Sequence, residues 1–221
     1  SLQASMQGES VHLGGYLGYE GDAAFAGLFG AYQKSDFNST RQVSAANTRP
    51  LIAQADMDMT GRTFGGFAGY RAPVGGGLVL APMVGVTNIR IKRDGFDETG
   101  ADPLNLQVSE ETREVTYGTA QLRLSTLTPV AGGTFEPYLA GGVERYWGDL
   151  ASVSDMRFAG AAGDMGSFRI IGAPLEETVG VLGAGFDVRP NDRFEIGASA
   201  GSRIGERTTQ TTVEMHARIR F

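Results

Sequence analysis

The clearest pattern along the chain is alternation. In TTVEMHARIRF, the last eleven residues, Val213, Met215, Ala217, Ile219 and Phe221 share one parity while Glu214, His216, Arg218 and Arg220 share the other. Successive side chains of a β-strand point to opposite faces, so such a ribbon separates an apolar environment from a wet one. The same pattern sets Ala120, Leu122 and Leu124 against Thr119, Gln121, Arg123 and Ser125, and Leu182, Ala184, Phe186 and Val188 against Gly183, Gly185, Asp187 and Arg189. Phe194, Ile196, Ala198 and Ala200 likewise oppose Arg193, Glu195, Ser199 and Arg203. In the segment 23–36, Phe25 and Phe29 fall on the opposite parity from Leu28 and Tyr32, and the pattern alone assigns no faces there. Two all-β arrangements satisfy these ribbons. A soluble sandwich buries the apolar face, whereas a transmembrane barrel turns it to lipid and keeps the polar face inside.

Nine strands are predicted, near 8–20, 23–36, 55–71, 77–93, 106–127, 134–150, 174–189, 193–205 and 208–221. Many exceed the five or six residues common in soluble strands and reach the 9 to 11 that cross a bilayer at a tilt. The connections sort by length. EGD at 20–22, APVGGG at 72–77, TPVAGG at 128–133 and RPND at 189–192 are short, and long loops are expected at 37–54, 94–105 and 151–173. Short and long alternate until the tight GERT turn at 205–208. An antiparallel barrel puts alternate connections on opposite rims, which gives short periplasmic turns and longer external loops. The expectation is therefore one all-β domain over 1–221, an antiparallel outer-membrane β-barrel. Nine is an odd number, and bacterial single-chain barrels are even, so either a strand escapes the pattern or strands lie upstream of Ser1.

Composition narrows the function classes. Glycine makes up 33 of 221 residues without a collagen period, which in alternating segments points to curved, close-packed strands. The net charge of −6 and the lack of a basic cluster argue against a nucleic-acid partner. The chain has no cysteine, hence no disulfide framework and no thiolate metal site. The longest apolar run, GGGLVLAPMVGV at 75–86, is too short for a membrane helix. It reads as a lipid-facing strand with Pro82 at a bulge or edge. No signal peptide is visible at Ser1, so any targeting segment is expected upstream.

Several pieces, in their order and spacing, resemble the translocator β-domain of autotransporters, the type V secretion barrels of Gram-negative outer membranes. They are LAPMVGVTNIRIKRDGFDETGA at 80–101 with Arg93, Gly95, Phe96 and Glu98, YGTAQLRLS at 117–125, FEPYLAGGVERYWGD at 135–149, VLGAGFDVRPNDRFEIGASAGSRIG at 181–205, and the terminal HARIRF. The resemblance implies a twelve-stranded barrel that anchors an N-terminal passenger and helps export it to the cell surface, with no cofactor. It implies that the nine strands are the family's fourth to twelfth, with the remaining strands and a lumen-spanning helix before Ser1. It also implies outer-membrane lipid, the barrel-assembly machinery and the chain's own passenger as partners. Ile219 and Phe221 fit the family's C-terminal assembly signal, while His216 stands where a glycine is often found.

The candidate lumen charges are Glu144, Asp187, Arg189, Glu195, Arg203, Glu214, Arg218 and Arg220. They could guide an unfolded passenger; the plainer reading is a lattice of ion pairs that keeps the polar wall satisfied. Phe221 serves either assembly recognition or an interfacial aromatic girdle, and Trp147, Tyr146 and Tyr138 are expected near a rim or in the lumen. A barrel enzyme would need a placed acid or base, and His216 with Glu214 or Glu195 is the one pair that could be drawn so. Two residues apart on one strand face is ordinary geometry, and no G-x-S-x-G, H-E-x-x-H or phosphate loop is present, so no enzymatic activity, cofactor or metal is expected. ADMDM at 55–59 lacks the oxygen ligands and glycine turn of a calcium loop. The segment 151–174 alternates on both sides of GAAGDMG, which predicts a hairpin beyond the membrane. The competing reading is a passenger-less channel or surface-interaction barrel.

Overall fold

The computed structural model describes residues 4–43, 50–163, 165–191 and 193–219. Its strands, in chain order, are β1 (Ala4–Glu20), β2 (Ala24–Val43), β3 (Leu51–Tyr70), β4 (Ala72–Gly75), β5 (Leu78–Arg93), β6 (Phe96–Asp97), β7 (Leu106–Val108), β8 (Glu111–Thr126), β9 (Thr128–Val130), β10 (Gly133–Gly148), β11 (Val153–Phe158), β12 (Ser167–Ile171), β13 (Thr178–Asn191), β14 (Phe194–Ile204) and β15 (Thr209–Ile219). Nine long strands pair antiparallel with their neighbours in chain order, β1-β2-β3-β5-β8-β10-β13-β14-β15, and β4 and β9 are short additions beside β5 and β10. The sheet curls into a half-barrel. β1 and β15 are its edges, and among the described residues no ladder joins them.

The burial is that of a membrane wall. Among the described residues the buried apolar side chains are Ala53, Ala55, Ala101, Val108 and Val115, while Leu122, Leu139, Leu182 and Met215 are 45, 63, 57 and 81% exposed. A soluble sandwich would hide those large side chains, so that arrangement is overturned. Registration puts Leu80, Leu124, Leu139, Ala184, Ala200 and Val213 in one row on the convex face. The adjacent row on the concave face holds Ala81, Arg123, Ala140, Gly183, Gly201 and Thr212. In the unassigned segment, Phe29 lies opposite Gly65, and Gly65 opposite Thr87, so Phe25 and Phe29 are concave while Leu28 and Tyr32 face outward.

The aromatics also account for much of the glycine. A Cβ on Gly65 would collide with the Phe29 ring, one on Gly69 with Phe25, one on Gly27 with Phe67, and one on Gly185 with Tyr138. Each ring lies across a neighbouring strand where only a hydrogen stands, which lets wide side chains cover the wall without pushing strands apart. Pro82 falls where the ladder of β5 changes partner, between Met83 opposite Gly69 of β3 and Leu80 opposite Ala72 of β4. Its missing N–H therefore coincides with an interruption, as expected of a proline in a sheet.

Three sequence expectations need correction. The loop predicted at 37–54 is largely strand, because β2 and β3 run twenty residues each, about double what a tilted crossing needs. The strand predicted at 106–127 is two elements: Leu106–Val108 leaves the main sheet and β8 starts at Glu111. The loops 94–105 and 151–173 are not independent, since they supply a second sheet of order β12-β11-β7-β6 on the long-connection rim. The hairpin predicted at 151–174 is present, with Val153 opposite Ile171 and Arg157 opposite Ser167.

The ring-over-glycine packing predicts a specific loss. Gly65→Val should displace Phe29 and destabilise the sheet by about 1–3 kcal/mol. Unfolding of the detergent-folded protein in urea measures it, and Phe29→Ala in the same background should recover part of the loss.

Candidate functional site: the charged concave wall

The concave face of β8, β10, β13, β14 and β15 carries a lattice of opposite charges. Registration sets Glu136, Asp187, Gly197 and His216 in one row; below it Arg218 lies opposite Glu195, and Arg189 reaches Glu195 where the β13–β14 ladder shifts register. Glu195, buried at 6% exposure, accepts from Arg189 Nε at 2.8 Å and is paired with Arg218 at 3.2 Å. Glu136 bridges Arg189 at 3.2 Å and Arg123 at 3.4 Å, and Arg123 also reaches Asp187 at 3.4 Å. The Arg123 guanidinium stands 3.6 Å from the Tyr138 ring centroid, a stacking a lysine would not reproduce. These groups line a cavity of about 670 Å³ open toward Phe25 and Arg71 on the short-turn side.

His216 Nε2 lies 3.2 Å from Asp187 and 3.8 Å from Glu195. Gly197 makes that meeting possible, since a Cβ there would collide with both His216 and Asp187. Of the two partners drawn for His216 from the sequence, Glu195 on the next strand is near and Glu214 two residues away is not, and the nearer carboxylate is Asp187. Asp187, Glu195 and His216 offer ligand atoms within 4.8 Å of one another. Both carboxylates are already held by Arg123, Arg189 and Arg218, so the cluster is built as ion pairs rather than as a cation centre.

Higher on the same face Glu144 takes Arg203 and accepts the Tyr146 hydroxyl at 2.7 Å, and Tyr146 stacks on Tyr117 at 5.1 Å. The expected lumen set thus resolves into two groups. Asp187, Arg189, Glu195 and Arg218 join the lower lattice, Glu144 and Arg203 the upper pair, and Glu214 lines a cavity with Arg123 and Tyr138 without joining an ion pair among the described residues. Arg220 and Phe221 lie outside the described residues. Ile219 faces outward opposite Phe194. Sequence reasoning passed over Glu136, although it shares the parity of Tyr138 and Glu144, and left Arg123 out of the charge set despite placing it on the polar face. Trp147 faces outward and covers Gly118, while Tyr138 and Tyr146 are concave.

The second sheet is tied to the wall by two carboxylates. Glu111 accepts from Ser152 Oγ at 2.7 Å, Ser154 Oγ at 2.9 Å and the Val153 amide at 2.9 Å, and lies 3.5 Å from Arg93. Glu98 receives both ends of the Arg41 guanidinium and the Leu106 amide at 2.8 Å, while Arg41 also donates to the Leu104 carbonyl at 3.0 Å. Burial pushes both carboxyls up, but these donors outweigh it and hold Glu111 and Glu98 below the usual glutamate range.

One sequence-family description, the autotransporter β-domain, matches residues 1–201. Among solved structures, the translocator domain of autotransporter NalP from Neisseria meningitidis is similar with a TM-score of 0.67 at 20% identity, over 99% of this chain and 68% of that one. The β domain of the Bordetella autotransporter BrkA is similar with a TM-score of 0.61 at 18% identity, over 96% of this chain and 72% of that one. No curated protein matches the chain by sequence.

The rim carboxylates predict an acid-sensitive attachment. A lowered folded pKa contributes stability above the unfolded value of about 4.3, and that contribution is lost as pH falls through the lower folded value. Amide-exchange protection at Val153 and Leu106, which donate to Glu111 and Glu98, should hold from neutral pH to about 5 and fall below about 4.

Proposed function

We propose, on the premise that this chain belongs to the autotransporter β-domain family, that its charged concave wall is a structural lattice lining the route by which the passenger leaves the cell. The chain is an outer-membrane translocator barrel. The observation that carries the finer reading is the inversion of the two faces, with lipid-facing leucines outside and paired arginines and carboxylates inside. Each carboxylate of the lower lattice has a cation within 3.4 Å, which leaves little uncompensated charge to hold a transiting chain and lets a polar segment slide past. Energy for export comes in this reading from folding and assembly of the barrel and passenger.

Two further parts belong to the proposal. Ile219 and Phe221 serve as the signal read by the barrel-assembly machinery. The edges of β1 and β15 are completed by further strands, since a row of unpaired backbone groups cannot face hydrocarbon. The share of the NalP and BrkA domains that this chain spans supports that completion.

Display of the passenger on intact cells, read by external protease, tests the reading alongside heat modifiability of the barrel. Glu195→Gln should lower the temperature at which the compact form is lost while the compact fraction still displays passenger normally. Normal compactness with lost display would assign the wall a guiding role instead. Phe221→Ala should reduce the amount of compact barrel several-fold without changing the melting of what does assemble.

A further inference from the structure

On the convex face just above the apolar band, Arg62 of β3 lies directly opposite Arg90 of β5. Like charges facing each other across strands repel, so a wall gains nothing from this pair by itself. Among the described residues neither guanidinium has an ion-pair or hydrogen-bond partner. The neighbouring charges are otherwise engaged: Lys34 is paired with Asp36 at 3.4 Å, Lys92 with Asp94 at 2.9 Å and Glu110 at 3.4 Å, and Glu114, opposite Arg90, accepts from Asn88 at 2.9 Å. Thr60, Arg62, Arg90 and Lys92 together line a notch of about 190 Å³.

The position of the notch selects its occupant. Two residues below Arg62 on the same face is Phe64, 62% exposed, and four below Arg90 is Val86, 54% exposed. Tyr32, opposite Arg62, has the amphipathic ring that favours a membrane interface. Above the notch the outward side chains of β2 and β3 turn acidic, with Asp36 opposite Asp58. The paired arginines therefore stand at the upper boundary of the hydrocarbon, at the level of lipid headgroups, on the rim that carries the long connections. A guanidinium binds phosphate oxygens through two parallel N–H bonds, and two guanidiniums facing one anion convert their mutual repulsion into a shared attraction.

We propose that Arg62 and Arg90 clamp a phosphate of a phosphorylated glycolipid in the outer leaflet, with its acyl chains lying against Phe64 and Val86. Lys92 and the Thr60 hydroxyl complete the edge of the notch. The leaflet assignment rests on the translocator reading, which places the long connections outside; the clamp chemistry does not. The test uses full-length protein extracted in a mild detergent and native mass spectrometry with added lipid A, lipid A stripped of its phosphates, or inorganic phosphate. Wild type should retain phosphorylated lipid A at least about tenfold better than the stripped form, and Arg62→Gln with Arg90→Gln should abolish the preference while the barrel stays heat-modifiable. Should the double variant fail to fold, each single variant should lower the preference several-fold. Arg145→Gln, an outward arginine near Glu177, should leave it unchanged. Equal retention of the two lipids by wild type, an unchanged preference in the folded variants, or displacement of the lipid by inorganic phosphate at equal concentration overturns the clamp. The measurement is independent of passenger display, so the clamp and the export reading can fail separately.

Discussion

Backbone hydrogen bonds in hydrocarbon have no water to fall back on, and this constraint shapes everything else in the chain. Each crossing strand must be matched along its whole length by its neighbour, which is why the main sheet runs strand by strand in sequence order with unbroken ladders such as Leu78–Arg93 against Glu111–Thr126. Pro82 of β5 and Pro137 of β10 both sit where one side of the strand changes partner. Side chains then sort by the medium they meet. Alternation, which in a soluble protein marks core and surface, here marks lipid and lumen, and hydrophobic burial contributes through the membrane rather than through a packed interior.

Because the lumen side lacks an apolar core, close packing there depends on two devices. Aromatic rings lie over glycines of adjacent strands, and carboxylates and arginines interlock across three or more strands. Both depend on register. A slip of one residue would carry Arg123, Glu136 and Glu195 into lipid and Leu122, Phe135 and Phe194 into water, so the charge lattice specifies the pairing as strongly as it stabilises it.

The strands, their order and the two faces of the second half were legible in the sequence because period-two alternation is strong where one face meets lipid. It faded where strands project beyond the membrane. In β2 from Lys34 onward polar residues occupy both parities and the segment reads as loop, while in β3 before Arg62 the alternation persists with its sense reversed, Ala53, Ala55, Met57 and Met59 on the concave face and Gln54, Asp56 and Asp58 outside. The second sheet was invisible because Leu106–Val108 finds its partner at Met156–Phe158, about fifty residues away, a pairing that no local pattern encodes. The lumen charges were identified one strand at a time, which found Asp187 and Glu195 but could not reveal that Glu136 and Arg123 complete them across the sheet. Phe25 and Phe29 resisted assignment because a lumen-facing phenyl ring makes sense only once its glycine partner on the next strand is known.

The small sheet on the outer rim has a consequence for how this surface is seen from outside the cell. Its strands come from two connections separated along the chain, β6 and β7 from one and β11 and β12 from the other, joined where β7 pairs with β11. An antibody raised against the folded protein would therefore recognise a discontinuous epitope, and a linear peptide copied from either connection would present only half of it. Variation that lets such a surface escape recognition is constrained in the same way, because a change of length in one connection must be accommodated by its partner in the other.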